Sequence, residues 1–232
     1  MYQDHEQLDM INDNLKVWKY MNLSKLIWML EKRMLWFNRI DSFEDVFEGT
    51  YPAANKSLRH EIYEGKPLPD SVYDQIMDLA KKNTFACCFY TNAFESAAMW
   101  KLYANDDGVA IQTDTNNLKE AFYPEPTPVF ITKVNYIDYD SDFLPERNMF
   151  SLGAYKRKSF SHENEIRCLW SPHEMGSLSA KGKGTLISTE KLIKKIYLSP
   201  YAPSYLEDVV KGLLVKYTCT SEVVKSPLYT IS

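Results

Sequence analysis

The sequence predicts a single α+β domain with a mixed or split, mostly antiparallel sheet flanked by helices. Short β-branched and aromatic runs are interspersed with runs of helical spacing, without the regular strand–helix–strand rhythm of a doubly wound sheet. No internal repeat, low-complexity tract or long linker divides the 232 residues. Apolar residues make up 45% and aromatics 14%, with 16 Tyr, 11 Phe and 5 Trp. That is enough large apolar surface to offset the ordering entropy of one sizeable core.

The elements follow in order. Residues 1–14 are acidic and polar and are expected to form a flexible lead-in to a domain over 15–232. Residues 15–20 (LKVWKY) read as the first strand. Asn22 and Ser24 are both candidate N-caps. Leu23, Leu26, Ile27, Leu30 and Met34 then recur on one helical face, and the helix ends near Arg33. A strand over 35–40 leads into an acidic loop over 41–49 (DSFEDVFEG). Two polar helices are expected over 53–64 and 71–82, separated by Pro67 and Pro69. The near-continuous apolar run 84–91 (TFACCFYT) is a strand buried on both faces.

Ser96 caps a helix over 97–104, and the turn 105–108 (NDDG) leads to a strand over 109–113. A short helix over 118–122 is stopped by Pro124, Pro126 and Pro128. Next come a strand over 129–139, a helix over 143–158, and strands over 163–170, 185–188 and 194–198. A helix over 205–215 and an edge strand within 217–229 complete the chain.

Composition excludes several function classes. Lys plus Arg number 27 against 31 Asp plus Glu, a net charge of −4 that argues against a general nucleic-acid binder. Lys181, Lys183, Lys191, Lys194 and Lys195 lack interleaved aromatics and read as a solvated face. No run approaches a membrane span, and the acidic start lacks the pattern of a secretory signal, so a cytoplasmic protein is expected. Cys87, Cys88, Cys168 and Cys219 form no C-x-x-C pair and are expected to stay reduced and buried. Cys87 and Cys88, neighbours on a strand, should face opposite ways. The four histidines show no metal spacing, and no Gly-rich phosphate loop or nucleophile elbow is present.

Three segments carry chemistry. On a strand, Glu163, Glu165 and Arg167 share one face, with His162, Asn164, Ile166 and Cys168 on the other. Two close carboxylates raise each other's pKa, while an arginine lowers it. Lining a cleft, they suit a cationic transition state or the hydroxyls of a ribose; otherwise they are the wet side of an amphipathic strand. The second segment is Ser96–Tyr103 (SAAMWKLY). Met99, Trp100 and Tyr103 fall at helical spacing and suit a core stripe, while Trp100 and Tyr103 also suit a pocket lip. The third is Arg39 with Asp41, Glu44, Asp45 and Glu48, a surface loop or the border of a ligand site, whose spacing matches no calcium loop.

In order and spacing, four pieces resemble a bacterial family known as domain of unknown function 2971. They are Trp18–Tyr20 through Leu30 with Leu35–Arg39; Ser42–Glu48; Cys88–Phe89 through Ser96, Met99–Trp100, Tyr103 and Gly108–Val109; and Lys158 with Glu163–Arg167. In the second piece the family usually shows Phe-Asn-Asp-Pro-Phe-Glu; Asp45, Phe47 and Glu48 fit, and Glu44 and Val46 depart. The resemblance covers roughly Trp18 to Ser226. It implies a cytosolic bacterial protein of the kind placed near mobile elements and anti-phage systems, hence a defence role.

More remotely, the layout looks like an ADP-ribosyltransferase, with a late strand bearing E-x-E. That resemblance implies NAD as co-substrate, a nucleotide ligand and no metal. Glu165 would then stabilise an oxocarbenium-like transition state, and Glu163 would orient or deprotonate the acceptor. Tyr20 or Trp100 would stack on nicotinamide, and Arg39 would meet a phosphate. Lys19 and Tyr20 stand where the transferase pattern has a His or Arg. Asp45, Glu48, Ser96, Tyr103 and Arg167 complete the expected binding set, around a cleft between the Glu163–Arg167 strand and the Ser96–Tyr103 helix. Two other readings stay open. One is a divalent-metal nuclease with Asp45, Glu48, Glu163 and Glu165 on Mg2+. The other is a non-catalytic sensor of a nucleotide or phage component.

Overall fold

The computed structural model describes residues 1–146, 148–176 and 179–230. It confirms an α+β domain built on one mixed, mostly antiparallel sheet. The first strand, β1 (Lys16–Asn22), feeds helix α1 (Leu23–Lys32), then β2 (Met34–Arg39). Helices α2 (Ala53–Ile62) and α3 (Asp70–Asn83) precede β3 (Phe85–Thr91). A short turn, α4 (Ala97–Met99), runs into a single π turn over Trp100–Ala104, then β4 (Gly108–Asp114) and α5 (Thr115–Ala121). Strands β5 (Val129–Lys133) and β6 (Asn135–Ile137), helix α6 (Ser151–Ala154), β7 (Tyr155–Arg157) and β8 (Glu165–Trp170) follow. The last elements are β9 (Gly182–Leu186), α7 (Thr189–Leu192), β10 (Lys195–Leu198), α8 (Tyr205–Lys216) and β11 (Glu222–Lys225).

Of the two candidate caps, Asn22 is the one used. Its side chain accepts from Lys25 N at 3.0 Å and closes an orphan donor of α1. Arg33 ends the helix in the left-handed region (φ 50°). Asn22→Ala is expected to cost about 1 kcal/mol, read as a lower urea midpoint with an unchanged slope.

The strand order is β11-β10-β4-β1-β3-β2-β9, with β8 on the other edge of β3 and β5 beyond it. β10 and β11 pair in parallel, and β6 and β7 form a separate parallel pair. The sheet splits on β3. Its Tyr90–Thr91 end pairs with β1 and its Phe85–Ala86 end pairs with β2, while β8 runs along the whole opposite edge. Lys19 Nζ reaches into the split and donates to Cys88 O at 2.7 Å.

One face of the sheet carries the main core. Val17, Phe37, Cys87, Ile111 and Cys168 pack there under α1, α5, α7 and α8. The other face carries two smaller apolar clusters, Ala86 and Leu169 with Leu144 and Leu152, and Trp18 and Tyr20 with Met99 and Trp100. Gly108 lets the π turn lie against β4, since a Cβ there would meet Ala104 O at 2.0 Å.

Two expectations need correction. The strand over 129–139 breaks at Val134, whose N–H bonds to Glu165 O. The helix over 143–158 is a single turn followed by β7, because pairing with β6 overrides local helix preference; Arg147, within that span, lies outside the described residues. Residues 1–14 make specific contacts: Tyr2 bridges Val129, His5 packs edge-on against Phe130 and Phe150, and Ile11 is buried. Cys87 and Cys168 are buried register partners on β3 and β8, and all four cysteines are free. Among the described residues, no helix is long and apolar enough to cross a membrane.

Candidate functional site

Between the two apolar clusters of the second sheet face lies a buried group of charges. Alternation on β8 turns Glu165 and Arg167 to that face, in line with Leu169. Glu163, expected on the strand, instead ends a 3-10 turn over Lys158–Glu163. Asn164 then takes a left-handed conformation (φ 38°), which asparagine tolerates, and its side chain donates to Thr91 O. The turn still delivers Glu163 to Glu165. All three charged side chains are buried, so they are no wet face.

Two further elements complete the cluster. Glu48 comes from the loop after β2 and Lys156 from β7. Lys156 Nζ lies 2.9 Å from Glu48 Oε1 and 3.6 Å from Glu165 Oε1, and it bonds directly to Glu163 Oε2. Arg167 donates from Nε to Glu165 Oε2 at 2.6 Å and from Nη1 to Gly153 O at 3.2 Å. Its Nη2 stands 2.9 Å from Glu48 Oε2, an ion pair without an aligned hydrogen bond. Tyr103 OH donates to Glu163 Oε1 at 3.0 Å, and Glu165 N donates to Tyr136 OH at 2.9 Å.

Three carboxylates thus face two cations. Burial pushes the Glu163 pKa up, and its hydrogen bond and repulsion with Glu165 add to this against Lys156. Burial also opposes the charge on Glu165, but Arg167 and Lys156 outweigh it and pull the pKa down to about 2. Burial likewise works against Lys156, and Glu165 and Glu48 outweigh it, so the ammonium keeps its proton. Cys88, beside the cluster, stays a thiol because burial and Glu165 both raise its pKa.

Of the residues singled out from sequence, Glu48, Tyr103, Glu163, Glu165 and Arg167 come together. Asp45 sits beside them, paired with Arg157. The others do not join. Lys19 points to the opposite sheet face. Tyr20 and Trp100 are buried and stack edge-on at 5.0 Å, so neither offers a free ring. Ser96 caps Met99, and its N–H donates to Tyr20 OH. Arg39 pairs with Phe85 at the far end of β3 from Glu165, roughly 17 Å along the strand. There it is held by Asp41 and Ser179 O.

The sequence reading missed Lys156 and Tyr136. The only signal was parity: had 155–157 been read as a strand, the basic run would have offered an inward lysine. The expected open cleft is not there, because Tyr103 closes directly on Glu163. A cavity of about 260 Å³ lies nearby instead, lined by Trp100, Lys101, Asn105, Asp106 and Tyr201. Among the described residues, no group of three or more His, Cys, Asp or Glu side chains is arranged to hold a metal ion. Lys156 takes the centre of the Glu48, Glu163 and Glu165 triad.

Residues 99–168 match the family model described as protein of unknown function, DUF2971. The match supports the DUF2971 family. The DUF2971 stretch holds Trp100, Tyr103, Lys156, Glu163, Glu165 and Arg167, and the cluster draws Glu48 from outside it. No curated protein and no solved structure matches the chain.

Proposed function

We propose that this chain is an enzyme that cleaves an N-glycosidic bond of a nucleotide, with NAD as the first co-substrate to test. One observation carries the reading: two adjacent buried carboxylates, Glu163 and Glu165, share Lys156 but only Glu165 is also held by Arg167, which shifts their pKa values in opposite directions. Such a divergence is how acid–base roles are divided in a site. Burying five charges is costly and rarely a route to stability, so a cluster of this kind is a functional candidate. In the proposed reaction Glu165, always ionised, stabilises an oxocarbenium-like sugar as nicotinamide departs. Glu163, whose pKa is raised by burial and by Glu165, serves in its ionised form as base toward the acceptor, water or a nucleophilic side chain. Tyr103, 45% exposed, is the side chain that moves aside to admit substrate. NAD consumption during phage infection is the setting the family resemblance suggests.

A second reading is a nucleotide-sensing module without turnover. The cavity beside Trp100 and Tyr201 favours it, because it is formed without moving Tyr103 off the cluster. It requires thermal stabilisation by ligand with no product.

The deciding experiment incubates purified protein with NAD, alone and with cell lysate, and follows free nicotinamide by mass spectrometry. Release by the wild type and not by Glu163→Gln is the expected result. No release in either condition removes the catalytic reading.

A further inference from the structure

Beside the buried cluster, one cation keeps part of its hydrogen-bonding edge unused. Arg157, the last residue of β7, has a side chain 32% exposed. Its guanidinium lies 4.1 Å from the centre of the Phe47 ring and 5.4 Å from that of Phe160. Asp45 accepts from Nε at 3.2 Å and from Nη2 at 2.8 Å, which fixes the plane of the group. Among the described residues, Nη1 makes no hydrogen bond. Phe160 is shared with the cluster, since Lys156 Nζ lies 4.5 Å from the same ring centre.

We infer that Arg157 is an anion-binding residue at the edge of the cluster, taking a phosphate of a nucleotide ligand through its free Nη1 edge. The inference rests on the reading of the Glu163–Glu165 pair only for which nucleotide is bound. A guanidinium presents donors in a planar fork that matches phosphate, and two flanking rings thin the water around it. Asp45 offsets part of the charge but orients the fork, so the site selects by geometry as well as by charge.

Four other basic side chains fit the role less well. Arg39 uses Nε and Nη2 on Asp41 and Nη1 on Ser179 O, so each of its three nitrogens is already engaged. Lys191, Lys194 and Lys195 are each paired with a separate carboxylate, Glu120, Asp114 and Glu222.

The test is calorimetric titration of ADP-ribose into the wild type, Arg157→Ala, Arg157→Lys and Arg39→Ala, with melting temperatures as a folding control. Wild-type binding that weakens about tenfold in Arg157→Ala is expected, the loss of one charge-assisted hydrogen bond. Arg157→Lys keeps a charge for Asp45 but loses the fork, and recovers only part of the affinity. Arg39→Ala binds like the wild type. Equal affinity in the wild type and Arg157→Ala overturns the inference, and so does absence of ADP-ribose binding to the wild type. The two readings fail separately. Arg157-dependent binding without nicotinamide release removes the enzyme and keeps the anion site, and release that ignores Arg157 does the reverse.

Discussion

Arg167→Met is expected to lower the stability of the fold by about 3–5 kcal/mol, the usual cost of removing one partner from a buried ion pair. Arg167 is 1% exposed and is the shared partner of Glu165, Glu48 and the Gly153 carbonyl. Methionine replaces much of its volume but leaves three buried carboxylates, Glu48, Glu163 and Glu165, with Lys156 alone. For a chain of this size the melting temperature should fall by on the order of 10 °C. The acid limb should change as well. Between the ordinary carboxyl pKa of 4.5 and the folded Glu165 value of about 2, the unfolded chain takes up a proton that the folded one does not. Stability contributed by Glu165 is therefore complete above that window and is lost as pH falls through it. Without Arg167 that part of the acid limb should flatten. Denaturant melts at pH 7 and at pH 3 measure both effects, and a loss below about 1 kcal/mol would show that the charges do not act as a unit.

The parts of this site that local pattern controls were legible in the sequence. The apolar run 84–91 became β3, Asn22 became the cap of α1, and the spacing of Glu165 and Arg167 put both on one face of β8. Glu163 reached the cluster by another route, a left-handed Asn164 after a 3-10 turn, which no alternation rule anticipates. Lys19 and Tyr20 show why parity matters as much as residue type. They are neighbours on one strand, so they could not both face a ligand. Lys156 and Tyr136 were hidden because their positions come from the β6–β7 pairing, a tertiary contact between segments with no common local signal. Gly153 shows the same dependence. Its backbone lies where a Cβ would sit 2.9 Å from Leu169 Cδ2, and its carbonyl accepts from Arg167. That packing, and not the helix preference of its neighbours, decides how the chain approaches β7.

Glu163→Gln is expected to reduce nicotinamide release by about two to four orders of magnitude while leaving the fold intact. It is a cleaner probe than Glu165→Gln, which would take away the charge that both Arg167 and Lys156 face and lose stability along with turnover. Glu163 does not contact Arg167, so its replacement leaves the Arg167 pairs with Glu165 and Glu48 in place. Glutamine can turn its oxygen to Lys156 and its amide nitrogen to the Tyr103 hydroxyl oxygen, but it cannot take up a proton. The pH profile separates this role from a structural one. The base must be ionised to act, so the wild-type rate should rise with pH through a value above the ordinary 4.5, and Glu163→Gln should lack that rise. Tyr103→Phe supplies the sign test. The tyrosine donates to Glu163 Oε1 and so favours the ionised carboxylate. Removing that donor should move the rise to higher pH without abolishing turnover. A Glu163→Gln enzyme that keeps the wild-type rate, or a Tyr103→Phe profile displaced to lower pH, would take the base assignment away from Glu163.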